Sequence, residues 1–97
     1  KIKENEATKI FNYEIIKTPG HTSDSLSFYF KEDKILFSGD FIFYGTIGRM
    51  DLPTGSEEDM KDSLELISKY PKDIVIYPGH GPKTILENEI KRFKYYF

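Results

Sequence analysis

The sequence contains no cysteine. Disulfides, thiolate-based metal sites and a cysteine nucleophile are therefore excluded. Long apolar runs are missing too: the stretch Phe41 to Tyr44 is four residues, far short of a bilayer span. No charge of one sign dominates. Fourteen Lys plus Arg face sixteen Asp plus Glu, for a net charge of -2, which argues against nucleic acid or an anionic membrane as partner. The chain opens Lys1-Ile2-Lys3-Glu4-Asn5 without an apolar segment behind the basic residues, so it does not read as a signal peptide. It also lacks an initiator Met, which reads as a processed product or a fragment. What is present is ordinary globular material: 97 residues, 38% hydrophobic, 15% aromatic and 31% charged, enough for one domain at most.

The pattern of elements is mixed. Asn12 to Lys17 reads as a strand that stops at Pro19-Gly20. Ser25 to Phe30 alternates, with Leu26, Phe28 and Phe30 on one side and Ser25, Ser27 and Tyr29 on the other, as a half-buried strand does. The short polar link Lys31 to Lys34 leads at once into Ile35-Leu36-Phe37, which predicts a hairpin. Gly39 to Gly55 reads as a long loop. Ser56 then caps a helix with acidic residues in its first turn, an apolar stripe at Met60, Leu64 and Ile67, and Pro71 beyond its end. Asp73 to Tyr77 contains the β-branched run Ile74-Val75-Ile76, a buried strand. A last helix is expected from Thr84 to Phe93, with Ile85, Leu86, Ile90 and Phe93 facing inward.

One pattern occurs three times. An apolar strand ends, the chain turns at a glycine, and a His or Asp follows: Pro19-Gly20-His21, Gly39-Asp40 and Pro78-Gly79-His80. A strand end is a rigid base, and glycine permits backbone angles or close approaches that a side chain would block. If the three turns share one sheet edge, two imidazoles and a carboxylate meet, a set that suits Zn²⁺, Fe²⁺ or Mn²⁺. Each turn taken alone is more simply a surface turn. Three donors also leave a closed four-ligand site incomplete.

Other residues carry less. Arg49 and Asp51 either pair to brace their loop, or Arg49 grips a substrate carboxylate in a bidentate fork. Tyr44 lies on the same loop and is a candidate pocket residue. Ser23 and Ser25 lie near His21, but no Gly-x-Ser-x-Gly elbow is present, and Thr22-Ser23-Asp24 reads as a polar turn bonding its own backbone. Lys91, Arg92 and Lys94 read as the solvated face of the last helix.

Taken together, Thr18-Pro19-Gly20-His21-Thr22 with Ser25, Phe37-Ser38-Gly39-Asp40, Gly48-Arg49-Met50-Asp51-Leu52-Pro53 with Gly55-Ser56, and Tyr77-Pro78-Gly79-His80-Gly81-Pro82 with Thr84 and Glu87 resemble the metallo-β-lactamase superfamily. Within it they are most similar to compact glyoxalase II-like hydroxyacylglutathione hydrolases of bacteria. The resemblance runs over residues 14–90. It implies an αββα sandwich, of which this chain would supply an α+β half: a mixed β-sheet with helices on one face. It further implies His21 as the third histidine of a first metal site, Asp40 as the catalytic carboxylate bridging two metals, and His80 as the last histidine of a second site. The loop carrying Arg49 would lie on the substrate side, and Tyr44, a candidate from its place on that loop, with it. The cofactor implied is zinc, two per complete domain, with iron or manganese as the other suitable cations.

The superfamily's His-x-His-x-Asp-His motif is absent, since seventeen residues precede Thr18 and none is a His. Residues 1–97 are thus expected to form the C-terminal portion of a single domain, with an uncovered apolar sheet face through which the chain self-associates. The function implied is a metal-dependent hydrolase of a small-molecule thioester, a glutathione thioester among the candidates, acting in the cytoplasm. A persulfide dioxygenase with mononuclear iron on His21 and Asp40 is the rival enzyme, and a non-catalytic fragment the rival of another class. Neither nucleic acid nor membrane is an expected partner.

Overall fold

A computed structural model describes residues 13–97. Asn12, the expected start of the first strand, and the rest of the expected domain N-terminal to it lie outside the described residues. The elements run β1 (Glu14–Lys17), β2 (Leu26–Phe30), β3 (Ile35–Gly39), β4 (Ile42–Phe43), β5 (Thr46–Ile47), α1 (Glu57–Ile67), β6 (Val75–Pro78), β7 (Thr84–Ile85) and α2 (Leu86–Phe93). Five strands form one sheet in the order β1-β2-β3-β6-β7, and β4 and β5 make a separate two-stranded ribbon.

Strand direction decides where the chemistry lies. β1 and β2 are antiparallel, as are β2 and β3, while β3 and β6 are parallel with Leu36 beside Ile76. β1, β3 and β6 therefore point the same way, and the turns that follow them emerge at one edge of the sheet. A parallel pair needs a crossover, and α1 provides it. Ser56 caps that helix by accepting the Asp59 amide at 3.1 Å. Its stripe of Met60, Leu64 and Ile67 is buried against Leu36, Ile74 and Ile76. Ser63, on the same face, donates to the Pro19 carbonyl at 2.7 Å and so ties the helix to the turn after β1.

Both helices cover one face of the sheet. On β2 this is the face of Ser27 and Tyr29, whose side chains are buried, while Phe28 and Phe30 are partly exposed. The alternation of β2 is as expected, but the more apolar side is turned away from the helices. Ser27 is tolerated inside because its hydroxyl bonds that of Thr18 at 2.9 Å, both residues being buried. The outer face carries an aromatic ladder. Phe30 meets Phe37 edge-on at 5.6 Å between ring centroids, Phe37 meets Tyr77 at 5.6 Å, and Tyr13 stacks on Phe30 at 5.4 Å. Phe37 is 46% exposed there.

Two expectations are corrected. The segment from Gly39 to Gly55 is not all loop: β4 and β5 pair within it, and Phe41 and Ile42 are fully buried. Two-residue strands are too short to show a period. The last helix begins at Leu86 rather than Thr84, because Thr84 and Ile85 pair with Ile76 and Val75 as the edge strand β7. Ile85 consequently faces outward and is exposed, while Leu86 is buried and Ile90 and Phe93 pack against the core as expected.

Candidate metal centre

The shared edge brings His21, Asp40 and His80 together. Asp40 follows β3, the middle strand, and its two carboxylate oxygens face different imidazoles. His21 Nε2 is 3.4 Å from Oδ2, and His80 Nε2 is 3.5 Å from Oδ1. The arrangement follows from strand order. β6 is the neighbour of β3 on one side, whereas β1 lies two strands away on the other, so the histidines approach the carboxylate from opposite flanks. This modifies the sequence expectation of convergence on a single point. Among the described residues, no group of three His, Asp or Glu side chains is disposed to hold one metal ion. Exposure rises across the site, from 17% for the His21 side chain through 42% for Asp40 to 81% for His80.

Glycines set the close spacing. Gly39 takes φ +56°, a left-handed angle that turns the chain immediately before Asp40. At Gly79 the reason is space: a Cβ would lie 3.1 Å from Asp40 Oδ1 and 3.3 Å from the Gly39 carbonyl carbon. The Gly79 amide also donates to the Gly39 carbonyl at 2.8 Å, which locks the two turns together.

The donors fit a metal on their own chemistry. His21 Nδ1 lies 2.9 Å from the Arg49 carbonyl oxygen, which can only accept, so Nδ1 carries the hydrogen and Nε2 of the neutral ring presents a lone pair. That lone pair faces a carboxylate oxygen. Two acceptors at this separation repel unless a proton or a cation lies between them. Imidazole nitrogen with carboxylate oxygen suits zinc, iron and manganese, and a zinc site of four ligands needs donors in addition to these.

Arg49 contributes through its backbone. Its guanidinium forms a bidentate fork with Asp51, Nε to Oδ1 at 2.6 Å and Nη2 to Oδ2 at 3.0 Å, the loop-bracing alternative. That bond holds the Asp51 carboxyl below the usual carboxylate range. Gripping a substrate carboxylate would require the fork to open. Tyr44 stands exposed at the β4–β5 tip, and its neighbour Phe43 has its ring 6.2 Å from that of His80. The polar turn bonds its own backbone as expected, the Thr22 amide donating to Ser25 Oγ at 3.2 Å; the Thr22 and Ser25 hydroxyls lie 2.8 Å apart, and Asp24 accepts from Thr22 Oγ1 at 3.0 Å.

Sequence reasoning missed Glu89, and it included Gly48 in a motif without giving it a role. Gly48 packs directly under Asp40 and His21. Glu89 is a buried carboxylate, and its signal was present: it stands between Leu86 and Phe93 on the otherwise apolar face of α2.

A sheet whose strand ends present two histidines around one aspartate offers metal-type donors at one edge, and comparison supplies the family. Residues 4–80 match the metallo-beta-lactamase superfamily, and the chain belongs to it. A protein named as a probable metallo-hydrolase from Streptococcus pyogenes serotype M6 is 37% identical over 90 residues, covering 92% of this chain and 39% of the relative. Hydroxyacylglutathione hydrolase GloC of Haemophilus influenzae is 39% identical over 90 residues, covering 90% of this chain and 42% of the relative. Among solved structures, TTHA1623 in a di-iron-bound form superposes with a TM-score of 0.77 at 36% identity, over 79% of this chain and 39% of that one. The chain thus spans about two-fifths of the length of the curated relatives it matches. The mixed sheet with both helices on one face is an α+β half of the superfamily's sandwich.

Proposed function

We propose that the protein carrying these residues is a metal-dependent thioester hydrolase of the glyoxalase II type, acting in the cytoplasm on a small thioester such as an acyl-glutathione. One observation carries the reading: each oxygen of Asp40 faces its own imidazole, the disposition expected of a carboxylate shared between two metal positions. Similarity to a hydroxyacylglutathione hydrolase supports the substrate class. His21, Asp40 and His80 would hold the metals, zinc in the first instance, with further ligands from beyond the described residues. Bound metal supplies positive charge that acidifies a water and stabilises an oxyanion.

The chain's own groups account for the rest. The Arg49 carbonyl holds the His21 ring in one tautomer. The more exposed His80 and Asp40 Oδ1 form the solvent-facing side, through which water and substrate would enter. The water oxygen bonds to the acyl carbon, the carbon–sulfur bond breaks, and the proton goes to the departing thiolate. Tyr44, exposed at the ribbon tip one residue beyond Phe43, whose ring lies 6.2 Å from that of His80, is the candidate to contact the substrate. No protein nucleophile is required, in keeping with a chain that has no Cys.

The test is thiol release from lactoyl-glutathione by the protein at its natural length, with metal analysis of the same sample. Zinc-loaded protein that releases thiol is the expected result. Iron with oxygen uptake on glutathione persulfide would replace the hydrolase by a dioxygenase. Protein without metal or turnover would leave a non-catalytic role.

We also propose that the aromatic sheet face is covered in use, and that the isolated 97-residue chain associates through it. Leu26, Phe37, Tyr77 and Ile85 expose large apolar area on that side. Sedimentation is expected to show dimers or larger species together with bright binding of a hydrophobic dye. A monomer that leaves the dye dark would remove this proposal.

A further inference from the structure

We propose that Glu89 is a positioning residue: its buried carboxylate clamps the tip of the β4–β5 ribbon and thereby fixes Tyr44, the residue after Phe43, whose ring lies 6.2 Å from that of His80. The inference deepens the hydrolase reading and rests on it for the role of Tyr44.

Glu89 is 1% exposed, yet no part of its carboxylate is left unpaired. Oε2 accepts from the Thr84 hydroxyl at 2.6 Å and from Arg92 Nη1 at 2.8 Å. The Gly45 amide points at both oxygens, 3.2 Å from Oε1 and 3.3 Å from Oε2. Gly45 takes φ +81°, the left-handed angle that turns its N–H inward at the ribbon tip. Arg92 completes the arrangement by placing its guanidinium over the Tyr44 ring, 5.5 Å from the centroid. One buried charge thus holds the amide after Tyr44 directly and the ring of Tyr44 through Arg92.

An ordinary structural role would not need this. An apolar residue would fill a buried position on α2 at lower desolvation cost. The carboxylate is instead aimed across 44 residues of sequence at the tip of a two-stranded ribbon, where Tyr44 is 58% exposed. Asp40 and His80, by contrast, are held by β3, β6 and the Gly79–Gly39 hydrogen bond, and the Glu89 carboxylate bonds to none of these. Loss of the clamp should therefore move Tyr44 and leave the metal-facing groups in place.

The test uses Glu89→Gln in the protein at its natural length, which keeps the size and one oxygen acceptor but removes the charge. Hydrogen exchange at the Gly45 amide is expected to accelerate about tenfold, as loss of a charge-assisted bond implies, while the Leu64 amide in α1 stays within about twofold. In thioester hydrolysis KM is expected to rise about three- to tenfold with kcat little changed, because substrate contact weakens but Asp40 does not move. A purely structural role would lower kcat with the folded fraction and leave KM unchanged. Arg92→Gln provides a second variant that keeps Glu89, and it should reproduce the KM effect in part. Unchanged Gly45 exchange in both variants would overturn the proposal. If the wild-type protein cleaves no thioester, the hydrolase reading falls, and the exchange measurement still decides the clamp.

Discussion

Asp40→Ala is expected to strip the protein of most of its metal and nearly all thioesterase activity while leaving it folded. The side chain is 42% exposed, lies outside the buried hydrophobic cluster, and its carboxylate faces two imidazoles, His21 at 3.4 Å and His80 at 3.5 Å. On the proposed two-metal reading, truncation removes one donor from each of two positions at once. Loss of a mere outer-shell partner costs about 10–100-fold in metal affinity or activity, so the loss here should exceed about 100-fold. Asp40→Asn separates charge from shape: it retains one oxygen and should hold metal weakly on the side where that oxygen points. Metal content by mass spectrometry, circular dichroism and thiol release on the same samples check all three statements. Wild-type metal content and turnover in Asp40→Ala would end the assignment of this carboxylate to the centre.

The second large effect is expected at Gly48. A Cβ there would overlap the Asp40 backbone carbonyl oxygen and lie 3.3 Å from His21 Cβ. The neighbouring backbone has no room to yield. The Gly48 amide donates to the Phe41 carbonyl at 3.0 Å, and Phe41 and Ile42 are wholly buried. Gly48→Ala should therefore destabilise the fold by about 3 kcal/mol, the upper range for overpacking, and displace Asp40 in whatever remains folded. Gly81→Ala is the control. Gly81 has φ +81°, but a Cβ at that position would meet nothing within 4 Å, so this variant should lose about 1 kcal/mol from backbone strain alone. Urea denaturation of the two variants compares them directly. A Gly48 variant no less stable than the Gly81 variant would mean that the close approach beneath Asp40 is wrong.

Much of this protein could be read locally. The Ser56 cap, the Met60-Leu64-Ile67 stripe and the hairpin between β2 and β3 depend on residues within a turn or two of one another, and the structure has them where the sequence puts them. The three Gly-His and Gly-Asp turns were legible for the same reason: a strand end and its glycine are neighbours in the chain. Short elements were not legible, because β4, β5 and β7 hold two residues each and owe their conformation to partners elsewhere.

By itself, then, the sequence determined which groups could do chemistry and that each would stand on a rigid turn. Tertiary structure decided what they face. The parallel pairing of β3 with β6 and the distance of β1 placed the imidazoles on opposite oxygens of Asp40 rather than around one point. It turned the serine side of β2 toward the helices, directed the Arg49 carbonyl, not its guanidinium, to His21, and made Glu89 a buried anchor for a ribbon 44 residues away. Chain-local sterics fix backbone conformation, but the partner of a side chain depends on register and strand order, which no short stretch of residues encodes.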